Sequence, residues 1–253
     1  MQYGKTKIVQ CGDSVDLGRR AAADVADVMR ELLEQQDEIR IVFAAGESQM
    51  TFLDALAMQP DLDWGRVVCF NMDDFWEPRM SKTFSCGYQT QTQLYDKVQP
   101  KAFYLVDCNA ADPETEADRF EALLKAHQPL DILCQGIGTS GHLALNEPGI
   151  THFDDPRWVR VVDIAEQSKK QLRDDPNFKD LRYIPEKGVT MTIPALRTQR
   201  YIFTMVPLGL KRDILTRVLS ISKPDENLPA TILLETPGTL YVDEDSSPLE
   251  LLN

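Results

Sequence analysis

Histidine is scarce in this chain: His127, His142 and His152 are the only three among 253 residues. A metal centre built from several imidazoles is thereby excluded, and a lone histidine beside a few carboxylates lacks the usual ligand set. Cysteine is also sparse and unpaired in pattern. Cys11, Cys69, Cys86, Cys108 and Cys134 form no CxxC motif and are odd in number, which argues against a disulfide framework. Cys11, Cys69 and Cys134 lie in or near apolar runs and read as buried, reduced thiols. Basic residues are outnumbered, 27 against 40 acidic, for a formal net charge of -13. That balance excludes a nucleic-acid binder, because no cationic surplus exists to neutralise phosphates. No apolar run approaches the roughly 20 residues that span a bilayer. The stretch "MQYGKTKIVQCGD" has no apolar signal region. The expectation is a cytoplasmic protein with no membrane partner. Internal repeats, low-complexity tracts and Pro/Gly-rich linkers are missing too, so residues 1–253 are read as a single domain.

What is present is an alternation of short apolar runs with helical patterns. "KIVQC", "IRIVFAAG", "RVVCFNM", "AFYLV" and "LDILCQG" read as strands, and further strands are expected at 158–163, 189–192, 200–206 and 239–243. Residues 14–35 carry Ala22, Val25, Ala26, Met29, Leu32 and Leu33 at helical spacing. "QMTFLDALAM" is a second helix, and others are expected near 85–96, 165–173 and 209–220. Asp112 and Pro113 have the residue types of an N-cap and a first helical position. Nearly continuous apolar strands between helices indicate an α/β fold: a three-layer α/β/α arrangement around a largely parallel sheet.

Open α/β sheets bind ligands beyond the carboxyl ends of their strands. Three stretches occupy such positions. "FAAGESQMTF" places Gly46, Glu47 and Ser48 where a strand turns into a helix, a position that binds anions or merely caps the helix. "FNMDDFW" places Asp73 and Asp74 after an apolar strand. They could cap a turn, or one could act as a general base with a pKa raised by desolvation. "GIGTSGHLALNEPG" sets glycines 136, 138 and 141 before His142, with Glu147 five residues later. His142 is the best proton-transfer candidate near neutral pH, and Glu147 can orient the imidazole and stabilise its cation. The bland alternative is a glycine-rich turn with a spectator histidine. His127 and His152 are expected at the surface.

Together these loops resemble the glucosamine-6-phosphate deaminase (isomerase) family, whose superfamily includes 6-phosphogluconolactonase. "FNMDDF" is similar to the family's FNMDEY, and "GIGTSGHLALNEPG" to its GxGxDGHIAFNEP. "FAAGESQ" is similar to its phosphate loop LPTGSTP. "VTMTIPAL", "PLGLKRDIL" and "PATILLETPGTLYVDED" extend the likeness over nearly the whole chain.

The resemblance implies an aldose–ketose isomerisation coupled to loss of ammonia, with no metal and no cofactor. His142 would open the sugar ring with help from Glu147, and Asp73 would take the C2 proton and return it at C1. Asp74 would be structural. Phosphate would sit at Gly46–Ser48 with Lys211, and a further cation would come from Lys169, Lys170 or Arg173. The partner is a small phosphosugar, glucosamine or galactosamine 6-phosphate, and homo-oligomerisation is left open.

Two departures matter. Ser140 stands where the family has an aspartate, so it can hydrogen-bond but supplies no anion. Glu47 replaces a small residue in the phosphate loop; it would point to solvent or bind a sugar hydroxyl or amine. A lactonase and a non-catalytic sugar-phosphate binder therefore stand as alternatives.

Overall fold

The computed structural model describes residues 1–174 and 180–251. A short hairpin of β1 (Gln2–Tyr3) and β2 (Thr6–Gln10) leads into α1 (Ser14–Gln35). Asp13 caps that helix by accepting the amide of Asp16 at 2.7 Å. Then follow β3 (Ile39–Phe43), α2 (Met50–Ala57), β4 (Val67–Asn71) and β5 (Asp73–Trp76). A helical stretch runs from α3 (Cys86–Thr90) through a π-helical turn to α4 (Asp96–Val98), ahead of β6 (Ala102–Tyr104). α5 (Pro113–Ala126) starts as its sequence requires, with Asp112 accepting the amide of Thr115 at 2.8 Å. The rest is β7 (Ile132–Gln135), β8 (Val159–Asp163), α6 (Glu166–Asp174), β9 (Lys187–Met191), α7 (Ile193–Leu196), β10 (Tyr201–Val206), α8 (Arg212–Leu219) and β11 (Gly238–Val242).

Eight strands form the central sheet in the order β1-β2-β11-β10-β7-β3-β4-β6, parallel throughout except for β1. Successive side chains of a strand point to opposite faces, and the core divides accordingly. Ile41 and Phe43 of β3 join Leu17, Val25 and Met29 of α1 and Phe52 and Leu56 of α2. Val42 lies in the other cluster, with Phe120 and Leu124 of α5 and Ile214 and Val218 of α8. Helices thus cover both faces, and the fold is mixed α/β with a mostly parallel sheet.

Two expectations need correction. The strands at 158–163 and 189–192 exist, but they lie outside the parallel sheet. They form β8 and β9 of a separate antiparallel sheet, order β5-β9-β8. The third member, β5, was not legible as a strand because it is a four-residue run that opens with two aspartates. The other correction concerns His127, which is half-buried. Its ring packs 5.4 Å from Phe70 and 5.1 Å from Tyr104, centroid to centroid, and its Nδ1–H donates to Leu123 O at 2.9 Å. His152 is exposed, as expected.

Candidate active site

Neighbouring strands β10, β7, β3 and β4 all run the same way. Pairing sets Thr204 beside Gln135, Cys134 beside Phe43, and Phe43 beside Asn71. The segments leaving these strand ends are therefore neighbours: the turn to Lys211, the loop 136–149, the turn 44–49, and Asp73. Distant parts of the chain meet at one sheet edge, where α/β proteins bind ligands.

In the glycine-rich loop, His142 Nδ1 lies 2.7 Å from Glu147 Oε1 and 2.9 Å from Ser140 Oγ. Ser140 donates its hydroxyl proton to Glu147 Oε2 at 2.5 Å. Having one proton, Ser140 can only accept from the ring, so Nδ1 carries a hydrogen, while Nε2 has no hydrogen-bond partner among the described residues. Glu147 is buried, which raises its pKa, but bonds and charge from His142 and bonds from Ser140 and Ser168 more than offset this. The carboxyl is held down at about 2. Glycine at 138 has a steric cause: a Cβ there would lie 1.9 Å from His142 Nε2. Gly141 has φ +89°, a left-handed conformation that favours glycine. Asn146 explains its place in the motif structurally. Its amide donates to Leu143 O and to Met191 O, both at 2.8 Å, tying the loop to β9.

Asp73 and Asp74 are both buried but differ in surroundings. Asp74 accepts the amides of Phe75, Cys86 and Gly87 at 2.8–2.9 Å, which locks the start of α3 to β5. Among the described residues, no donor reaches the Asp73 carboxylate. Burial first, and the charge of Asp74 second, push the Asp73 carboxyl up to about 7. Burial raises Asp74 equally, to about 7, even though its amide donors favour the anion, so the two differ in hydrogen bonding and not in the net shift. Asp74 thus anchors α3 to β5, while the Asp73 carboxylate is the one left without a donor among the described residues.

At the turn after β3, Gly46 has φ +102°. Its amide donates to Gln89 Oε1 at 3.0 Å, so it is already engaged. Glu47 is exposed, and the Ser48 hydroxyl accepts from Gln49 Nε2 at 3.1 Å. Lys211 is buried, and its ammonium donates to Ile137 O at 2.8 Å, joining the β10 turn to the glycine-rich loop. Burial pulls its pKa down to about 8, and Glu47 acts in the opposite direction. On α6, Lys169 is ion-paired with both Glu166 and Glu186, whereas Arg173 and Lys170 are exposed. The structure thus brings Asp73, His142, Glu147, Ser140, Gly46, Glu47, Ser48 and Lys211 to one sheet edge. Lys169 is committed to carboxylates of its own neighbourhood.

Three contributors escape the sequence. Ser168 donates to Glu147 Oε1 at 2.8 Å, Thr190 accepts the amide of Leu145 at 3.1 Å, and Gln89 occupies the Gly46 amide. Ser168 and Gln89 sit in no quoted motif, and Thr190, though within "VTMTIPAL", gives no sign there of its contact with the histidine loop. Among the described residues, no group of three or more histidine, cysteine or acidic side chains could hold a metal ion. No described helix is long and apolar enough to cross a membrane.

Fold and site together define an open α/β protein with a carboxylate and an imidazole–carboxylate pair at the carboxyl edge of its sheet. Comparison with known sequences makes the class specific. Residues 12–242 match the glucosamine-6-phosphate isomerases/6-phosphogluconolactonase family, and the chain belongs to it. A glucosamine-6-phosphate deaminase of Mycoplasmopsis pulmonis is 24% identical over 251 residues, covering 95% of this chain and 93% of that protein. Among solved structures, a monomeric glucosamine-6-phosphate deaminase superposes with TM-score 0.82 at 22% identity, over 95% of this chain and 98% of its own. The 6-phosphogluconolactonase of Thermotoga maritima gives 0.73, also at 22% identity, over 94% and 99%. Those two likenesses establish the shared fold.

Proposed function

We propose that this protein is an amino-sugar phosphate deaminase-isomerase. It converts glucosamine 6-phosphate, or its galactosamine epimer, with water to the ketose 6-phosphate and ammonia. The observation that carries the reading is the pairing of two distinct proton-transfer groups on linked elements. One is a buried aspartate that no donor among the described residues reaches, and the other is an imidazole polarised by a carboxylate.

In this scheme His142 Nε2 moves the proton from the C1 hydroxyl to the ring oxygen, and Glu147 stabilises the imidazolium that forms in between. Asp73, ionised above about pH 7, removes the C2 proton and leaves an enolamine. The same carboxylic acid returns the proton at C1, giving a C2 imine. Water adds to that imine and ammonia leaves. The 46–48 turn and Lys211 hold the phosphate. The deaminase of Mycoplasmopsis pulmonis named above supports this reading over lactone hydrolysis, as does Asp73, since opening a lactone needs no base at a carbon acid.

Ammonia release from glucosamine 6-phosphate and galactosamine 6-phosphate tests the proposal directly. Turnover of either supports it. Hydrolysis of 6-phosphogluconolactone without ammonia release would replace it by the hydrolase reading. Ligand-induced melting shifts with no turnover would leave a sugar-phosphate binder.

A further inference from the structure

Ser168 belongs to none of the three loops at the sheet edge, yet it touches their central carboxylate. It sits on α6, 21 residues along the chain from Glu147, and its hydroxyl donates to Glu147 Oε1 at 2.8 Å. The helix is anchored without it. Leu172, one turn on and on the same helical face, is buried, and Lys169 pairs with Glu166 and Glu186. The hydroxyl is thus carried to the carboxylate by a helix already seated.

Glu147 Oε1 takes the His142 Nδ1–H at 2.7 Å and the Ser168 hydroxyl, while Oε2 takes Ser140 at 2.5 Å. A carboxylate oxygen offers two lone pairs, so Oε1 is filled by these two donors. The carboxylate is then held in one rotation about its side chain, with one oxygen aimed at the imidazole. Position 140 supplies no second anion to hold the ring. Two hydroxyls instead hold the one anion that is present.

We propose that Ser168 is a positioning residue: acting through Glu147, and with Ser140, it fixes the orientation and tautomer of His142. The inference rests on His142 and Glu147 being the ring-opening pair. It also links the seating of α6 to the first chemical step.

The test compares Ser168→Ala and Ser168→Thr with the unaltered protein. Ring nitrogen shifts of His142 are read by NMR in the ligand-free protein. Turnover is measured on cyclic glucosamine 6-phosphate and on an open-chain analogue. Backbone amide shifts of Lys169 and Leu172 report whether α6 stays seated. The Ala variant is expected to move the His142 nitrogens away from the single Nδ1–H form. It should lower kcat on the cyclic substrate about tenfold, the scale of one hydrogen bond to a charged group, with KM little changed. The open-chain analogue should be affected less, and the Thr variant should restore both readouts. Unmoved ring nitrogens in a Ser168→Ala protein with α6 seated would overturn the proposal. So would a change confined to KM. If the unaltered protein releases no ammonia from either amino-sugar phosphate, the functional reading falls, but the ring nitrogens still decide whether Ser168 positions the imidazole.

Discussion

Asp73 stands opposite Thr190 in the antiparallel β5–β9 pair, and the Thr190 hydroxyl accepts the amide of Leu145 at 3.1 Å. One strand therefore braces both the aspartate and the histidine loop. The small sheet is the frame that holds together the two groups proposed to transfer protons, since acid–base catalysis needs both within reach of one sugar.

If Asp73 is the C2 base, Asp73→Asn preserves shape and removes the basic oxygen. Turnover should fall by about two orders of magnitude or more. Deuterium from solvent should also cease to enter C2 in the reverse reaction. Undiminished exchange in the variant would assign the base elsewhere.

The raised pKa of Asp73 has a signature in stability as well as in rate. Unfolded, an aspartate titrates near about 3.9; folded, burial and then Asp74 hold this one at about 7. The folded state binds the proton more tightly across that window, so its contribution to stability is full below the window and is lost as pH rises through it. Asp73→Asn should gain in urea midpoint relative to the unaltered protein as pH rises from about 4 to about 7. A constant difference would contradict the raised value. In the same range, kcat/KM of the unaltered enzyme should climb as the base ionises.

Lys211 is the buried cation of the proposed phosphate site, with its pKa lowered to about 8 by burial despite the opposing influence of Glu47. Lys211→Ala should weaken binding of glucosamine 6-phosphate far more than binding of glucosamine. Phosphosugar affinity should drop as pH rises through about 8, because the ammonium loses its charge. Glu47→Ser should strengthen phosphosugar binding by removing a like charge from the turn. Calorimetry with both sugars decides; equal losses for the two in Lys211→Ala would show that this lysine does not read the phosphate.

Glu147 is ionised far into acid, near a pKa of about 2, because its three side-chain donors outweigh burial. Its folded pKa is depressed, so its stabilising contribution is present above the ordinary glutamate range and is lost as pH falls toward about 2. Glu147→Gln should flatten that acid slope. It should also slow ring opening more than enolisation, and an open-chain analogue should partly bypass the defect. The analogue should not bypass Asp73→Asn. Equal impairment of Glu147→Gln on cyclic and open-chain substrates would argue against a ring-opening role.

Gly138→Ala places a methyl group where His142 Nε2 now lies. The imidazole must swing aside, and a displacement of about 1 Å at a catalytic group costs on the order of a hundredfold in rate. Circular dichroism should be unchanged, because the ring and not the backbone gives way. Full activity in this variant would mean that His142 is not held at the reacting atoms.

Helices, strands of the main sheet and the three site loops were legible because their determinants are local. The 14–35 stripe has helical spacing, Asp112 sits at a helix start, and glycines precede His142 within one short loop. Glu147 as partner of His142 was readable for the same reason, being five residues away. Tertiary structure decided what depends on remote pairing. Strands at 159–163 and 187–191 have apolar patterns that say nothing of which sheet they join; pairing with β5 drew them out of the parallel sheet. Lys169 reads as a free cation until folding brings Glu186 to it. Ser168 and Gln89 carry no pattern at all, since a hydroxyl or an amide acquires a role only from the group packed against it. Sequence by itself determined the residue types capable of proton transfer and the short-range structure around them. The chain's three-dimensional course determined which carboxylate meets no donor among the described residues, which is held ionised far into acid, and what holds the imidazole, because burial and hydrogen bonding are properties of neighbours that lie far apart in sequence.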